Sequence, residues 1–237
     1  MFQSVRHWWH EGSGGRLARL FAFEFMVVVA GVLTAQALAN WVSDRSERGA
    51  VRAENERIRY EIGRARQNAR VWMAAAPCLE GRVEGIIRKA SSEEGLNPDE
   101  LKLPEVIGYT IGPISPDIDR AFRSQYPVAI VDTYGSTSSA STMIVEIYRN
   151  VRRDWDRFAL MDPDLGPSSA ADRATVRDIG VQIRSQLRRL QAQAQSIEQS
   201  AARLRIDPLT SGAAVGKAAP IKECSEIWRT GRIWRES

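Results

Sequence analysis

Between Leu20 and Ala39 the chain carries a single charge, Glu24, and a single side-chain amide, Gln36. At about 1.5 Å per residue such a helix is roughly 30 Å long, the thickness of a bilayer's hydrocarbon core. Arg16 and Arg19 precede the stretch, and Trp41 stands where an interfacial aromatic belongs. A soluble core helix would show a polar stripe, yet Phe25 to Ala35 has only Thr34. The stretch reads as a transmembrane helix over residues 20–41, behind a short tail, 1–19.

A cleaved export signal is the competing reading. Phe25 to Ala35 has the length of an h-region, and Ala37-Leu38-Ala39 fits a small-x-small cleavage site. Against cleavage stand the long segment before the apolar run and the helical character on both sides of the cut. Val42 to Ala76 contains neither proline nor a glycine pair, so the span is expected to continue as one helix. The register Glu24, Gly31, Ala35, Asn40, Trp41, followed by a charged helix, resembles the N-terminal signature of an uncharacterised family of bacterial single-span membrane proteins. Gln36 departs from that pattern by one position. The resemblance implies an uncleaved span and carries no activity with it.

A carboxylate inside a span is costly, and it points either to function or to a partner. Glu24 lies about one turn inside the boundary, close enough to reach the headgroups, Arg19 or a neighbouring chain. Gly31, Ala35 and Ala39 form a small-xxx-small stripe, with Gln36 available as polar glue. These five residues are the candidate transmembrane interface.

Orientation draws on two opposed signals. Arg45, Arg48, Arg52, Arg57 and Arg59 follow the span, against Arg6, Arg16 and Arg19 before it, which alone favours a cytoplasmic C-terminal domain. That rule weakens for long translocated domains. Cys78 and Cys224, in a setting without metal-ligand spacing, suit one structural disulfide in an oxidising compartment, the alternative being two buried thiols. Such a bridge would close a loop worth up to about 5 kcal/mol in the chain-entropy model. The expectation is a bacterial inner-membrane protein, single-pass, with its bulk in the periplasm.

Beyond the span an all-α fold is expected: the transmembrane helix continues into an antiparallel helical bundle. Val51, Asn55, Ile58, Ile62, Ala65, Ala69, Trp72 and Ala76 recur in steps of three and four, a heptad seam in which Asn55 could set register and oligomer state. Pro77 should interrupt or restart the helix, with Cys78 opening the next piece. Residues 91–117 hold Asn97-Pro98, Leu103-Pro104, Gly112-Pro113 and Ser115-Pro116, a long connection expected to drape over the helices. Ile118–Tyr126 and Met143–Phe158 read as helices, and Val128–Val131 as a helix or extended turn. Ser169 or Ala170 opens the longest soluble helix, which carries a stutter near Ile183 and ends at Asp207-Pro208. The helical domain is thus 42–207. Residues 208–237 form a linker and a C-terminal tail packed on the domain through Ile227, Trp228, Ile233 and Trp234.

Composition narrows function mainly by exclusion. At 43% hydrophobic and 26% charged the chain is not generally disordered. Its net charge of +4 comes from arginines that alternate with acids on helix faces, which does not suggest nucleic-acid binding. Both histidines lie in the His7–His10 segment, flanking a tryptophan pair, with no cysteine nearby to complete a metal site. Asp162-Pro163-Asp164 begins like a calcium loop but meets Arg173 where a bidentate glutamate is required. Gly135–Thr142 lacks a nucleophile elbow, phosphate-binding glycine motifs are missing, and Asp154 and Asp156 should face solvent. No catalytic, cofactor or metal residues are therefore assigned. The expected role is a structural or protein-interaction one, with the bilayer and with itself or another membrane or periplasmic protein as partners. The alternative is a periplasmic ligand-sensing bundle that signals through a membrane partner.

Overall fold

The computed structural model describes residues 14–92, 94–106, 108–209 and 218–236. The His7–His10 segment and residues 210–217 of the small-residue linker lie outside them. The chain forms two units, one ending at Arg52 and one starting at Ala53.

The fold is all-α. Helix α1 runs Gly14–Ser92, α2 Pro98–Leu101, α3 Pro116–Gln125, α4 Val128–Trp155 and α5 Ala170–Arg203. Two 3-10 turns, Asp156–Met161 and Pro163–Leu165, join α4 to α5. A C-terminal piece holds strand β1 (Ala218–Pro220), helix α6 (Cys224–Thr230) and strand β2 (Trp234–Glu236). In the first unit, α1 from Ala18 onward is long and apolar enough to cross a membrane, and none of its apolar window is buried.

The second unit is built on three long helices. Helix α5 runs antiparallel to α1: Arg66 meets Glu198, Glu80 meets Arg188, Glu84 meets Arg184, and the Ala90 carbonyl accepts from Arg177. Helix α4 runs parallel to α1. Glu61 and Tyr134 both bind Gly112, and further along the same two helices Trp72 packs on Tyr148, with ring centroids 5.4 Å apart. Two parallel neighbours need a connection that returns the full length of the bundle, and residues 93–127 supply it.

Two of the helices start at reciprocal capping boxes. Ser169 caps α5 in a reciprocal capping box with Asp172, and Asn97 with Glu100 does the same for α2. Val176, Ile179, Ile183, Leu187, Leu190, Ala194, Ile197 and Ala201 are all buried, so the stutter is accommodated in the core. From α1 come Ile58, Ile62, Ala65, Ala69, Trp72 and Ala76. The heptad seam is thus spent inside its own chain and is unavailable for self-association, and Asn55 is only half-buried.

Four local expectations are corrected. Helix α1 continues through Pro77, which is exposed, so its ring and missing donor fall on the solvent side. Helix α4 begins at Val128, far ahead of Met143: Ser138 and Ser141 donate to a neighbouring segment, while Thr133, Ser136 and Thr137 donate back to carbonyls of the helix itself. Helix α5 ends at Arg203, before Asp207-Pro208. The tail forms an antiparallel β1–β2 pair in the register Ala219↔Arg235, where no strand was expected, since three-residue strands leave almost no alternation to read.

Glycine sets the closest helix approach. A Cβ placed on Gly180 of α5 would lie 2.5 Å from Cγ1 of Ile87 on α1. Gly180→Leu should cost about 1–3 kcal/mol by overpacking. Chemical denaturation should show it, and adding Ile87→Ala should recover part of the loss.

Candidate functional site

Three places collect side chains with more than a packing role: the exposed face of the span, the return segment, and the tail.

On the apolar stretch of α1, Glu24, Gly31, Ala35, Gln36 and Ala39 are all exposed. A Cβ on Gly31 would meet nothing within 4 Å, and Glu24 makes no ion pair among the described residues. The hydroxyl of Thr34 donates to the Ala30 carbonyl at 2.7 Å, the usual way for a helix to satisfy a hydroxyl in apolar surroundings. Past the apolar stretch, the Arg45 guanidinium lies 5.5 Å from the centre of the Trp41 ring.

The return segment is an extended strap between α1 and α4, and it is held mainly by its backbone. Tyr134, Ser138, Ser141, Tyr148 and Trp155 occupy one face of α4 at spacings of four, three, seven and seven. In order, they donate to the carbonyls of Gly112, Ile111, Tyr109, Pro104 and Leu101. The Trp155 contact is 2.8 Å and the Ser138 contact 3.2 Å. Burial pushes the Tyr148 hydroxyl up to about 12, so it stays a proton donor throughout the physiological range.

Arg57 of α1 locks one end of the strap. Its guanidinium forks onto Glu54 at 2.7 and 2.9 Å, pairs with Glu61, and donates to the Pro113 carbonyl at 2.9 Å. The two carboxylates in turn accept from strap amides: Glu54 from Ser115 at 3.0 Å and Glu61 from Gly112 at 3.2 Å. The Arg57 hydrogen bonds hold the Glu54 carboxyl below its ordinary range even though burial opposes this. Arg64 lies over the Tyr109 ring at 4.5 Å, closing the cluster.

The tail closes over the strap's other end. Cys78 and Cys224 are disulfide-bonded, with Cα atoms 5.3 Å apart, so the structure brings the expected pair together. Arg82 stacks on Trp228 at 3.9 Å, and Ile221, Ile227 and Ile233 are buried. Glu105 of the strap donates its N–H to Gly231 at 2.6 Å and accepts from the Ile233 N–H at 3.1 Å. Together with Trp234, strap residues Leu103 to Val106 and Tyr148, Arg152 and Asp156 wall an open recess of about 410 Å³.

Sequence reading missed two polar clusters. Asp154 is buried, not solvent-facing, and accepts from Gln182 at 3.1 Å and Gln186 at 3.0 Å. Glu198 receives both Arg66, at 2.7 Å, and Arg70, at 3.0 Å. The signal was available for the second: Arg66 and Arg70 are four apart on α1, but their partner lies on another helix. Among the described residues no group of three His, Cys, Asp or Glu is placed to hold a metal ion.

The Glu198 cluster gives a pH prediction. The Arg66 hydrogen bonds, with help from Arg70, hold the Glu198 carboxyl down to about 2, from an ordinary 4.5. Its stabilisation is therefore complete above about 4.5 and is lost as pH falls toward 2. Glu198→Gln should cost about 1–3 kcal/mol at neutral pH. It should also flatten the acid limb of a stability–pH curve, measured by thermal melts across pH 2 to 7.

Comparison of the chain with protein-family models, with curated proteins and with solved structures gives no match.

Proposed function

We propose that the chain is a single-pass, membrane-anchored helical protein of the bacterial inner membrane, with the Ala53–Ser237 unit in the periplasm and a structural or protein-interaction role. The observation that carries this reading is the apolar window of α1, long enough to span a bilayer and wholly exposed. Leaving that much apolar surface in water would be strongly unfavourable, whereas lipid or a neighbouring span removes the cost. The Arg45–Trp41 contact suits an interfacial position. The Cys78–Cys224 pair supports the periplasmic side, because disulfides persist in oxidising compartments. The resemblance of the Glu24–Trp41 register to the uncharacterised single-span family points the same way. No catalytic activity is proposed, and the partners are the bilayer and a second copy or another membrane or periplasmic protein.

A second reading, a ligand-sensing bundle acting through a membrane partner, draws on the recess beside Trp234. A small molecule retained by the purified unit would favour it.

Intact-mass measurement of protein extracted from membranes tests the anchor, with Met1–Trp41 expected to remain. A product starting at Leu38 or Asn40 would sink it. Cross-linking in native membranes, followed by identification of the captured chains, tests the interaction role. If the partner is a second copy, replacing Gly31 and Ala35 with Leu should weaken the cross-linked dimer without blocking insertion. Only uncross-linked monomer in both membranes and mild detergent would exclude self-association.

A further inference from the structure

We infer that the Cys78–Cys224 bridge is an openable latch on the strap, not a staple of the bundle. Three sets of observations carry this.

The first is the division of the core. The faces that join α1, α4 and α5 are filled by their own side chains, among them Ile62, Trp72, Ile144, Leu187 and Leu190. Cross-helix pairs such as Arg66–Glu198 tie α1 to α5 without the tail. Among the described residues of the tail, the buried apolar side chains are Ile221, Ile227 and Ile233. Removing the tail thus leaves the three-helix core with its own contacts.

The second is what the tail covers. Its backbone pairs with the strap at Glu105, through the N–H to Gly231 and the carbonyl from Ile233. Arg232 adds an ion pair to the Glu105 carboxylate at 3.4 Å. Trp234 supplies one wall of the recess that Pro104, Tyr148 and Arg152 complete. At this level α4 reaches the strap through the longer Tyr148–Pro104 contact of 3.3 Å. At the far end Arg57, Glu54 and Glu61 hold the strap whatever the tail does. Releasing the tail therefore frees the strap around Glu105, between the Trp155–Leu101 contact of 2.8 Å on one side and the Arg57 clamp on the other.

The third is access. Cys224 is exposed, while Cys78 is nearly buried. An incoming thiolate can reach the Cys224 sulfur. Attack there forms a mixed disulfide, breaks the Cys78–Cys224 bond and expels Cys78 as a thiolate, which takes up a proton. The second thiol of a dithiol reductant then displaces Cys224 as a thiol, and the reductant leaves as a disulfide. The sum is one protein disulfide reduced and one dithiol oxidised.

The test uses the full-length protein in detergent or nanodiscs, with dithiothreitol as the dithiol. Amide hydrogen exchange is compared with and without reductant, after peptide mapping of the bridge under non-reducing conditions. The expected result is at least tenfold faster exchange at residues 105–106 and 221–235 on reduction. Rates in the buried segments of α1 (58–90), α4 and α5, and at Gly112 and Ser115, should stay within about twofold. The double variant C78S/C224S should match the reduced protein without any thiol chemistry. Acceleration across all three long helices would make the bridge a staple and overturn the inference. So would unchanged exchange at 105–106 and 221–235, or two free thiols in the native protein. These outcomes are separate from the membrane proposal, which stands or falls on the intact mass.

Discussion

The arrangement rests on one backbone requirement. Because α1 and α4 run parallel, the chain must travel back the length of the bundle between them, and the described residues between α2 and α3 form neither helix nor strand. The segment's carbonyls lie against two helices and need donors. Helix α4 provides them from a single face, through Tyr134, Ser138, Ser141, Tyr148 and Trp155. A helix face rich in Ser and Thr would ordinarily weaken the helix by competing for its own backbone. Here several of those groups point outward to the strap, so the same residues that lower local propensity hold the crossing in place.

Charge works at right angles to this. The ion pairs on α1 do not form a surface decoration of local pairs alone, which would contribute little. Arg57 is held between two carboxylates that also bind strap amides, and protonating Glu54, whose carboxyl Arg57 holds below its ordinary range, loosens a backbone contact as well as a salt bridge. Glu198 similarly joins two arginines of α1 to α5, while Arg66 also reaches the Ile206 carbonyl at 2.6 Å where the chain leaves that helix. Acid is therefore expected to act on the strap and on the α1–α5 seam together.

Much of this was legible in the sequence because it is periodic. The apolar positions of α5 from Val176 to Ala201 are buried as their spacing required, stutter included. The start of α5, expected at Ser169 or Ala170, falls at Ala170 with Ser169 as its cap. The cysteine pair was legible by elimination, as two half-cystines with no competing metal ligands. What escaped was non-periodic. The strap's extent is set by proline and glycine and could be guessed, but its partners could not, since carbonyl acceptors leave no trace in side-chain identity. Gly135–Thr142 lies outside the helix expected from Met143, because small polar residues have low helix propensity; in the structure Ser138 and Ser141 donate to the strap from within α4. Asp154 looked solvent-exposed beside Asp156 because the two glutamines that bury it come from another helix.

The heptad seam of α1 shows why an apolar repeat alone does not identify its partner. Steps of three and four serve an intermolecular coiled coil and an intramolecular bundle equally well. The flanking charges discriminate between them. Arg66 and Arg70, then Glu80 and Glu84, place basic residues first and acidic residues later along α1. Helix α5 presents Arg184 and Arg188 before Glu198, an order that pairs only when the two helices run antiparallel. A parallel second copy of α1 would set arginine against arginine at 66 and 70 and glutamate against glutamate at 80 and 84, a like-charge arrangement that disfavours the pairing. The charge order thus assigns the seam to the chain's own bundle.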